Sequence, residues 1–456
     1  MNNNITGGVI WKQLLLFFFP IWFGTFFQQL YNTADAVIVG NFVGKGALAA
    51  VGTTAVVQNL LVGFFVGVAS GASVVISQYY GARQGAQVQR AVHTAMAMAL
   101  LGGVGIMLIG LAASRWALSI MNTPADVMED AVLYLRICFL GMVPSLIYNM
   151  GTGILRAVGD SKRPLYFLIC ASLTNIVLDV VLVAILGMGV AGAALATVAS
   201  QCVAAGMTVM SLTHTTACYR FVPAYLQLDK EMVEKIVRIG LPAGLQSVMY
   251  SLSNSVVQAS INSFGTDVVA AYTAYGKIDS IFWMTMNSFG LSITTFVGQN
   301  FGAGQYDRVK KGVRQCALMA FVATGLLMAV TLAFGSALFR LFVQDAPVIQ
   351  QGVEILHYVV PFWPTYVLIE ILSGSVRGAG DSLIPMIMTS IGVCVTRILW
   401  VLTVVATVWH TLIGALACYP ISWSLTSLFF LAYYLQGGWL RRRIRVREAA
   451  QTEQPA

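Results

Sequence analysis

LRAVGDSKRPL (Leu155–Leu165) returns 221 residues later as VRGAGDSLIPM (Val376–Met386). A second pair, SQYYGARQGAQVQRAV (Ser77–Val92) and GQNFGAGQYDRVKKGV (Gly298–Val313), keeps the same offset. Two separate matches on one register mark an internal duplication, and a repeat constrains architecture before any local reading does.

The composition says in which solvent the duplicated unit sits. Of 456 residues, 58% are hydrophobic and only 10% charged, whereas soluble domains carry about 25% charged residues. Apolar runs recur at about the 20 residues a helix needs to cross a bilayer. In lipid every backbone N–H and C=O must be satisfied internally, so helices or a closed barrel are the only options. Runs such as 95–113 and 315–334 lack the alternation of barrel strands. An all-α membrane protein is predicted. Its spans fall near 13–40, 47–77, 91–113, 131–156, 165–186, 190–213, 236–261, 268–298, 312–336, 353–379, 384–408 and 412–436.

Twelve transmembrane helices in two six-helix repeats leave both repeats in the same orientation, because each has an even number of spans. The repeats are then parallel, related by an axis along the membrane normal. The domain boundaries read as an N-terminal lobe 1–213, a cytoplasmic linker 214–235, a C-terminal lobe 236–438 and a basic tail 439–456 whose end looks disordered. The linker's end reads as an amphipathic helix, with Met232 and Ile236 at the headgroup boundary. A formal charge of +8 suggests nucleic acid, but topology explains it better. Lys162, Arg163, Lys230, Lys235, Arg308, Lys310 and the RRRIRVR tail all fall in loops of one parity. By the positive-inside rule those loops and both termini are cytoplasmic, and no nucleic-acid partner is expected. The seven cysteines are scattered, without a CxxC pair, so neither a disulfide framework nor a zinc site is read from them.

Against this background the polar residues inside spans stand out. Gln28, Tyr31, Asn32 and Asp35, in QQLYNTAD, share one helix face. A charge at such depth costs roughly 2.5–3.5 kcal/mol on insertion scales, so the stripe must face protein or water. The fifth span brings Asn175 and Asp179, four residues apart on one face and at similar depth. Burial disfavours a carboxylate's charge, and a second carboxylate disfavours it further, so the pair would titrate as a unit. Competition between a small cation and a cargo cation for such a pair is the thermodynamic core of exchange.

The second repeat places Val256 and Trp400 at the matching positions. It carries instead a neutral stripe on the seventh span (Gln246, Tyr250, Asn254), with Glu370 and Arg397 deeper along the chain. Counted along straight helices, Glu370 and Arg397 differ in height by roughly 6 Å, and a pairing, direct or through water, is predicted. Lys277 and Asp279 read as a local ion pair. Asp160 and Asp381 in the repeated Gly-Asp-Ser read as caps of the helices that follow.

These motifs give the chain its resemblance. Twelve spans in two parallel halves, the duplicated R-x-x-G-D-S, and Gln78–Gly81 mirrored by Gln299–Gly302 resemble the MATE (multidrug and toxic compound extrusion) family of cation-coupled antiporters over residues 10–438. The resemblance implies cation coupling at Asp35, Asn175 and Asp179, by H⁺ or by a caged Na⁺. It implies a cargo cavity touching Gln28, Tyr31, Asn32, Gln246, Tyr250, Asn254, Glu370 and Arg397. The expected function is export of amphiphilic, mostly cationic small molecules by alternating access, without a cofactor. The expected setting is a monomer among the lipids of a bacterial cytoplasmic membrane. Sodium-coupled members of the NorM branch carry an acid in the seventh span, where this chain has Tyr250–Ser251. The wider superfamily also contains flippases of lipid-linked precursors. That alternative calls for a strongly cationic cavity, and only Arg397 lies deep in a span. A membrane-embedded enzyme finds no H-E-x-x-H or G-x-S-x-G motif here.

Overall fold

The computed structural model describes residues 5–43, 45–121, 123–125 and 127–452; residues 453–456 of the expected tail lie outside the described residues. Among the described residues there are helices and no strands. The first repeat contains α1 (Ile10–Phe42), α2 (Lys45–Gly81), α3 (Gly85–Ile120), α4 (Met128–Leu140), α5 (Met142–Ala157), α6 (Lys162–Asp179) and α7 (Gly189–Thr213). The second contains α8 (Lys230–Asn262), α9 (Thr266–Gly302), α10 (Tyr306–Arg340), α11 (Ala346–Val359), α12 (Trp363–Gly378), α13 (Leu383–Thr389), α14 (Thr396–Trp400), α15 (Leu412–Leu416) and α16 (Cys418–Leu435). A final helix, α17 (Gly438–Thr452), closes the chain.

Among the described residues, nine helical stretches are long and apolar enough to cross a membrane, and the bent pair α4–α5 makes a tenth. The long helices α8 and α9, of 33 and 37 residues, bring the total to the expected twelve. Their apolarity falls short because polar side chains such as Gln246, Ser253, Asn254, Ser288 and Ser292 run along them.

The duplication is visible in backbone detail. Arg83 and its counterpart Gly304 both take positive φ, 58° and 74°, and Gly159 and Gly380 do so at 93° and 92°. These last two let the chain turn after α5 and α12, where a Cβ would be strained. Asp160 then accepts the N–H groups of Lys162 and Arg163, both at 3.1 Å, and caps α6. Asp381 accepts that of Ile384 at 3.4 Å. The fourth span bends by 47° between α4 and α5, at Gly141. Pro144 follows there, and a proline ring clashes with the carbonyl four residues back. At the matching place in the second repeat a 3₁₀ turn, Val360–Phe362, separates α11 from α12. A π-helical turn follows α6 at Val180–Ile185, and its counterpart follows α14 at Val401–Val405. The second repeat has one more, Ser390–Val395.

The chain packs as two units, Phe19–Gly244 and Ile5–Phe18 with the chain from Leu245 on. Each unit is completed by the opening segment of the other repeat. In the second unit, Arg308 donates to the carbonyls of Ile5, Gly7 and Gly8 at 3.2, 2.7 and 2.9 Å. Phe18 stacks on Phe289 with ring centres 4.2 Å apart. In the first unit, Gly67 and Gly71 of α2 lie against Gly244 and Gly240 of α8, so close that a Cβ on either α2 glycine would overlap the α8 backbone.

The linker is docked on the first unit. His93 Nε2 accepts the Val222 N–H at 3.0 Å, so Nδ1 carries the proton and donates to the Gln89 carbonyl at 2.7 Å. Arg90 pairs with Asp229 at 2.5 Å, and Asp229 caps α8 through the Met232 N–H at 3.1 Å. The Arg90 guanidinium, helped by that N–H, holds the Asp229 carboxyl below the usual carboxylate range. Met232 and Ile236, expected at the headgroup boundary, are instead fully buried in the core of this unit. Residues 447–452, expected to be disordered, continue α17. That helix is anchored by buried Trp439 and Leu440 and by an Arg443–Asp381 ion pair at 3.5 Å.

Candidate functional site

In the first unit, α1 and α6 carry their polar stripes to one place. The carboxyls of Asp35 and Asp179 come within hydrogen-bonding reach of each other. Asn175 and Asp179 are buried, at 1% and 0% exposure. No N–H or O–H among the described residues donates to either oxygen of Asp179 or to Oδ1 of Asp35, and the Asn175 carboxamide is likewise without a partner. None of the ion pairs among the described residues involves these acids. Of the other stripe residues, Gln28 hydrogen-bonds Tyr31, while Asn32 is exposed. The π-helical turn begins at the residue after Asp179. Such turns often mark functional positions, because they rotate the following residues out of the α-helical phase.

Sequence reading missed further residues around the pair. Tyr134 of α4 lies within electrostatic range of both acids. Cys138, one turn on, hydrogen-bonds both Tyr134 and Gln58 of α2. The signal was present, since Tyr134 and Cys138 are four apart on one face, but neither carries charge.

The whole chain was compared with known proteins. The MatE family model matches it twice, over residues 20–181 and again over 242–403. The chain belongs to the MatE family. Two similar relatives are both from Bacillus subtilis (strain 168). The probable multidrug resistance protein YoeA is 29% identical over 450 residues, covering 95% of each chain. The probable multidrug resistance protein YpnP is 28% identical, covering 96% of this chain and 97% of that one. A solved structure described as the outward-facing conformation of a multidrug resistance MATE family transporter superposes with a TM-score of 0.90. At 23% identity over 97% of this chain and 99% of that one, it shows the shared fold. MatE proteins are transporters of small molecules and not enzymes, and so is this chain.

In this MatE chain the second unit arranges its charges differently from expectation. The seventh-span stripe on α8 finds a partner at each turn. Gln246 accepts from Arg377 at 3.3 Å and donates to Thr389 at 3.2 Å. The Tyr250 hydroxyl meets that of Tyr366 at 3.4 Å. Asn254 accepts from Arg397 at 3.0 Å. Glu370 and Arg397 do not pair. Glu370 accepts from the Tyr366 hydroxyl at 3.2 Å, and the basic group acting on it through space is Arg377. The π-helical turn Ser390–Val395 precedes Arg397, so counting along a straight α-helix put the guanidinium at the wrong height and phase.

Lys277 and Asp279 do not pair either. Residues two apart on a helix point to different faces. Lys277 is exposed, whereas Asp279 accepts from Tyr275 at 3.1 Å, Trp283 at 2.6 Å and Trp363 at 3.1 Å. Two of these partners sit one turn either side of it, a spacing legible in YGKIDSIFW.

Proposed function

We propose that this chain is a secondary-active exporter that exchanges H⁺ or Na⁺ for amphiphilic, mostly cationic compounds by alternating access. The proposed setting is the cytoplasmic membrane of a bacterium, with both termini in the cytoplasm. The observation that carries the reading is the meeting of Asp35 and Asp179, two sheltered carboxyls without a basic partner. Like charges in contact cannot both stay ionised without a proton or a cation between them. A proton bound there supplies the missing donor. A sodium ion would use the same oxygens, with the Asn175 carboxamide oxygen as a neutral ligand. Either occupant neutralises the pair, and a cationic cargo that needs the negative charge is then released.

The test is efflux of a fluorescent organic cation from cells, with the proton and sodium gradients collapsed separately. One ionophore should abolish export and so name the ion. Asp35→Asn and Asp179→Asn should each abolish gradient-driven export while the protein still reaches the membrane. Full export by either variant removes the pair from the mechanism.

A further inference from the structure

The first unit holds an apolar cavity of about 300 Å³, within the range of about 300–1,000 Å³ usual for small-molecule pockets. Phe65 of α2, Met98 and Gly102 of α3, and Met150 of α5 form its walls, and Leu228 of the linker and Val233 of α8 complete it. Water does not suit the space. Each buried water needs about two to four polar partners. The lining offers one polar side chain, Asn149, whose Nδ2 already donates to the Ser145 carbonyl at 2.8 Å. Leu101, also in the lining, is 57% exposed and heads a stripe of exposed residues at helical spacing on α3: Leu108, Ile109, Ala112 and Trp116. An exposed apolar stripe on a membrane-spanning helix faces lipid, so the cavity opens towards acyl chains.

The linker end of the cavity lies at the membrane boundary. The Asp229 N–H donates to Thr94 Oγ1 at 3.2 Å, one turn of α3 before Met98, which fixes the linker beside the cavity. The linker there exposes Tyr225, Leu226 and Leu228, an aromatic and two aliphatic side chains that suit the headgroup boundary. Lys230 opens α8 three residues before Val233, on the same face, and about 4.5 Å nearer the membrane surface. It is exposed, and among the described residues no acid pairs with it. Its neighbours Asp229 and Glu231 are engaged by Arg90 and Lys235.

We propose that the cavity holds one acyl chain of an anionic phospholipid from the leaflet on the linker's side, with the lipid phosphate at Lys230. The chain fills space that suits neither water nor a polar ligand, and the headgroup charge meets a cation left without an acid. A zwitterionic phospholipid offers the same chain, but its own ammonium already neutralises its phosphate. Leu228 and Val233 flank the junction of linker and α8, so the bound chain helps to hold that junction against α2 and α3. The site uses no residue of the Asp35–Asp179 pair and does not depend on the exchange reading.

The experiment is photo-crosslinking of the purified full chain in phosphatidylcholine nanodiscs. These carry a trace of diazirine-acyl phosphatidylglycerol, or of phosphatidylcholine bearing the same diazirine chain. Peptide mapping compares label at Met98 and Met150 with label on α10 at Leu318, Val322 and Leu326, which are exposed and report ordinary lipid contact. Phosphatidylglycerol should label the cavity about fivefold more than phosphatidylcholine, the order of one lysine facing an anionic headgroup, with no such difference on α10. Lys230→Gln should bring the two lipids level; its side chain is exposed, so the fold does not depend on it. A Cβ on Gly102 meets only Phe65 Cε1, at 3.9 Å, an ordinary contact. Gly102→Leu therefore fills the cavity from its wall, and should cut cavity label several-fold with α10 label and the unfolding midpoint unchanged. Cavity label no different from that on α10, an undiminished preference in Lys230→Gln, or undiminished cavity label in Gly102→Leu overturns the proposal. So does loss of cavity label alone on adding tetraphenylphosphonium, which would assign the space to a cationic cargo.

Discussion

Replacing Asp279 by asparagine changes one atom at a crowded junction, and the structure says which bond fails. Oδ1 accepts from Tyr275 and Trp363, and Oδ2 from Trp283 at 2.6 Å. An asparagine oriented to keep the two bonds on Oδ1 turns its NH₂ towards the Trp283 N–H, donor against donor. Flipping the amide rescues Trp283 and strands Trp363. One indole is therefore left without an acceptor in either orientation, at about 1–3 kcal/mol. Alanine strands both indoles, at roughly 2–6 kcal/mol. The remaining bonds also weaken, because the acceptor is no longer charged, while the carboxylate no longer has to be buried. The unfolding equilibrium in mixed micelles, followed by tryptophan emission, should rank wild type above Asp279→Asn and Asp279→Ala lowest. An asparagine variant as stable as wild type would refute this and show that the three donors do not hold the acid in place.

Other outcomes follow from the two units. Gly71→Val places a branched side chain against the α8 backbone, which cannot yield as a side chain would; the crossing must open, costing about 1–3 kcal/mol or more, read in the same unfolding assay. Arg308→Gln should free residues 5–8 from their carbonyl clamp, seen as faster hydrogen exchange of those amides without loss of the second unit's fold. Because the folded carboxyl of Asp229 is held below its ordinary value, its docking contribution is present above about pH 4 and fades as pH falls through the depressed value. Proteolysis of the linker at Tyr225 should accordingly be faster in Asp229→Asn than in wild type at neutral pH, with the difference shrinking only in strong acid. A difference that disappears already at pH 6 would assign the docking to another group.

Much of this was legible in the residues. The constant offset of the repeats carries into backbone conformation, down to Arg83 and Gly304 sharing a left-handed turn. Asp35 and Asp179 were legible because a charge in an apolar span is expensive enough to imply a reason. The stripe on α8 was legible as a face, but not its partners, since periodicity says which way side chains point and not what they meet. Arg397 was misplaced for a different reason. A helix that is apolar all round carries no phase marker, so the π-helical turn at Ser390–Val395 leaves no trace in the hydrophobic pattern. Asp279 was misjudged through its charged neighbour Lys277, although Tyr275 and Trp283 stood at the correct spacing.

The crossed opening segments bear on how the protein is made. The first unit lacks its covering for Gly67 and Gly71 until Gly240 and Gly244, in the opening helix of the second repeat, have been translated. Residues 5–18, synthesised first, wait longest, because Arg308 and Phe289 do not yet exist when they leave the ribosome. The first half is thus not a finished folding unit when its own last helix enters the bilayer, and the second half needs residues 5–18 from the first. Separately expressed halves should therefore be degraded alone and rescue each other when made in the same cell.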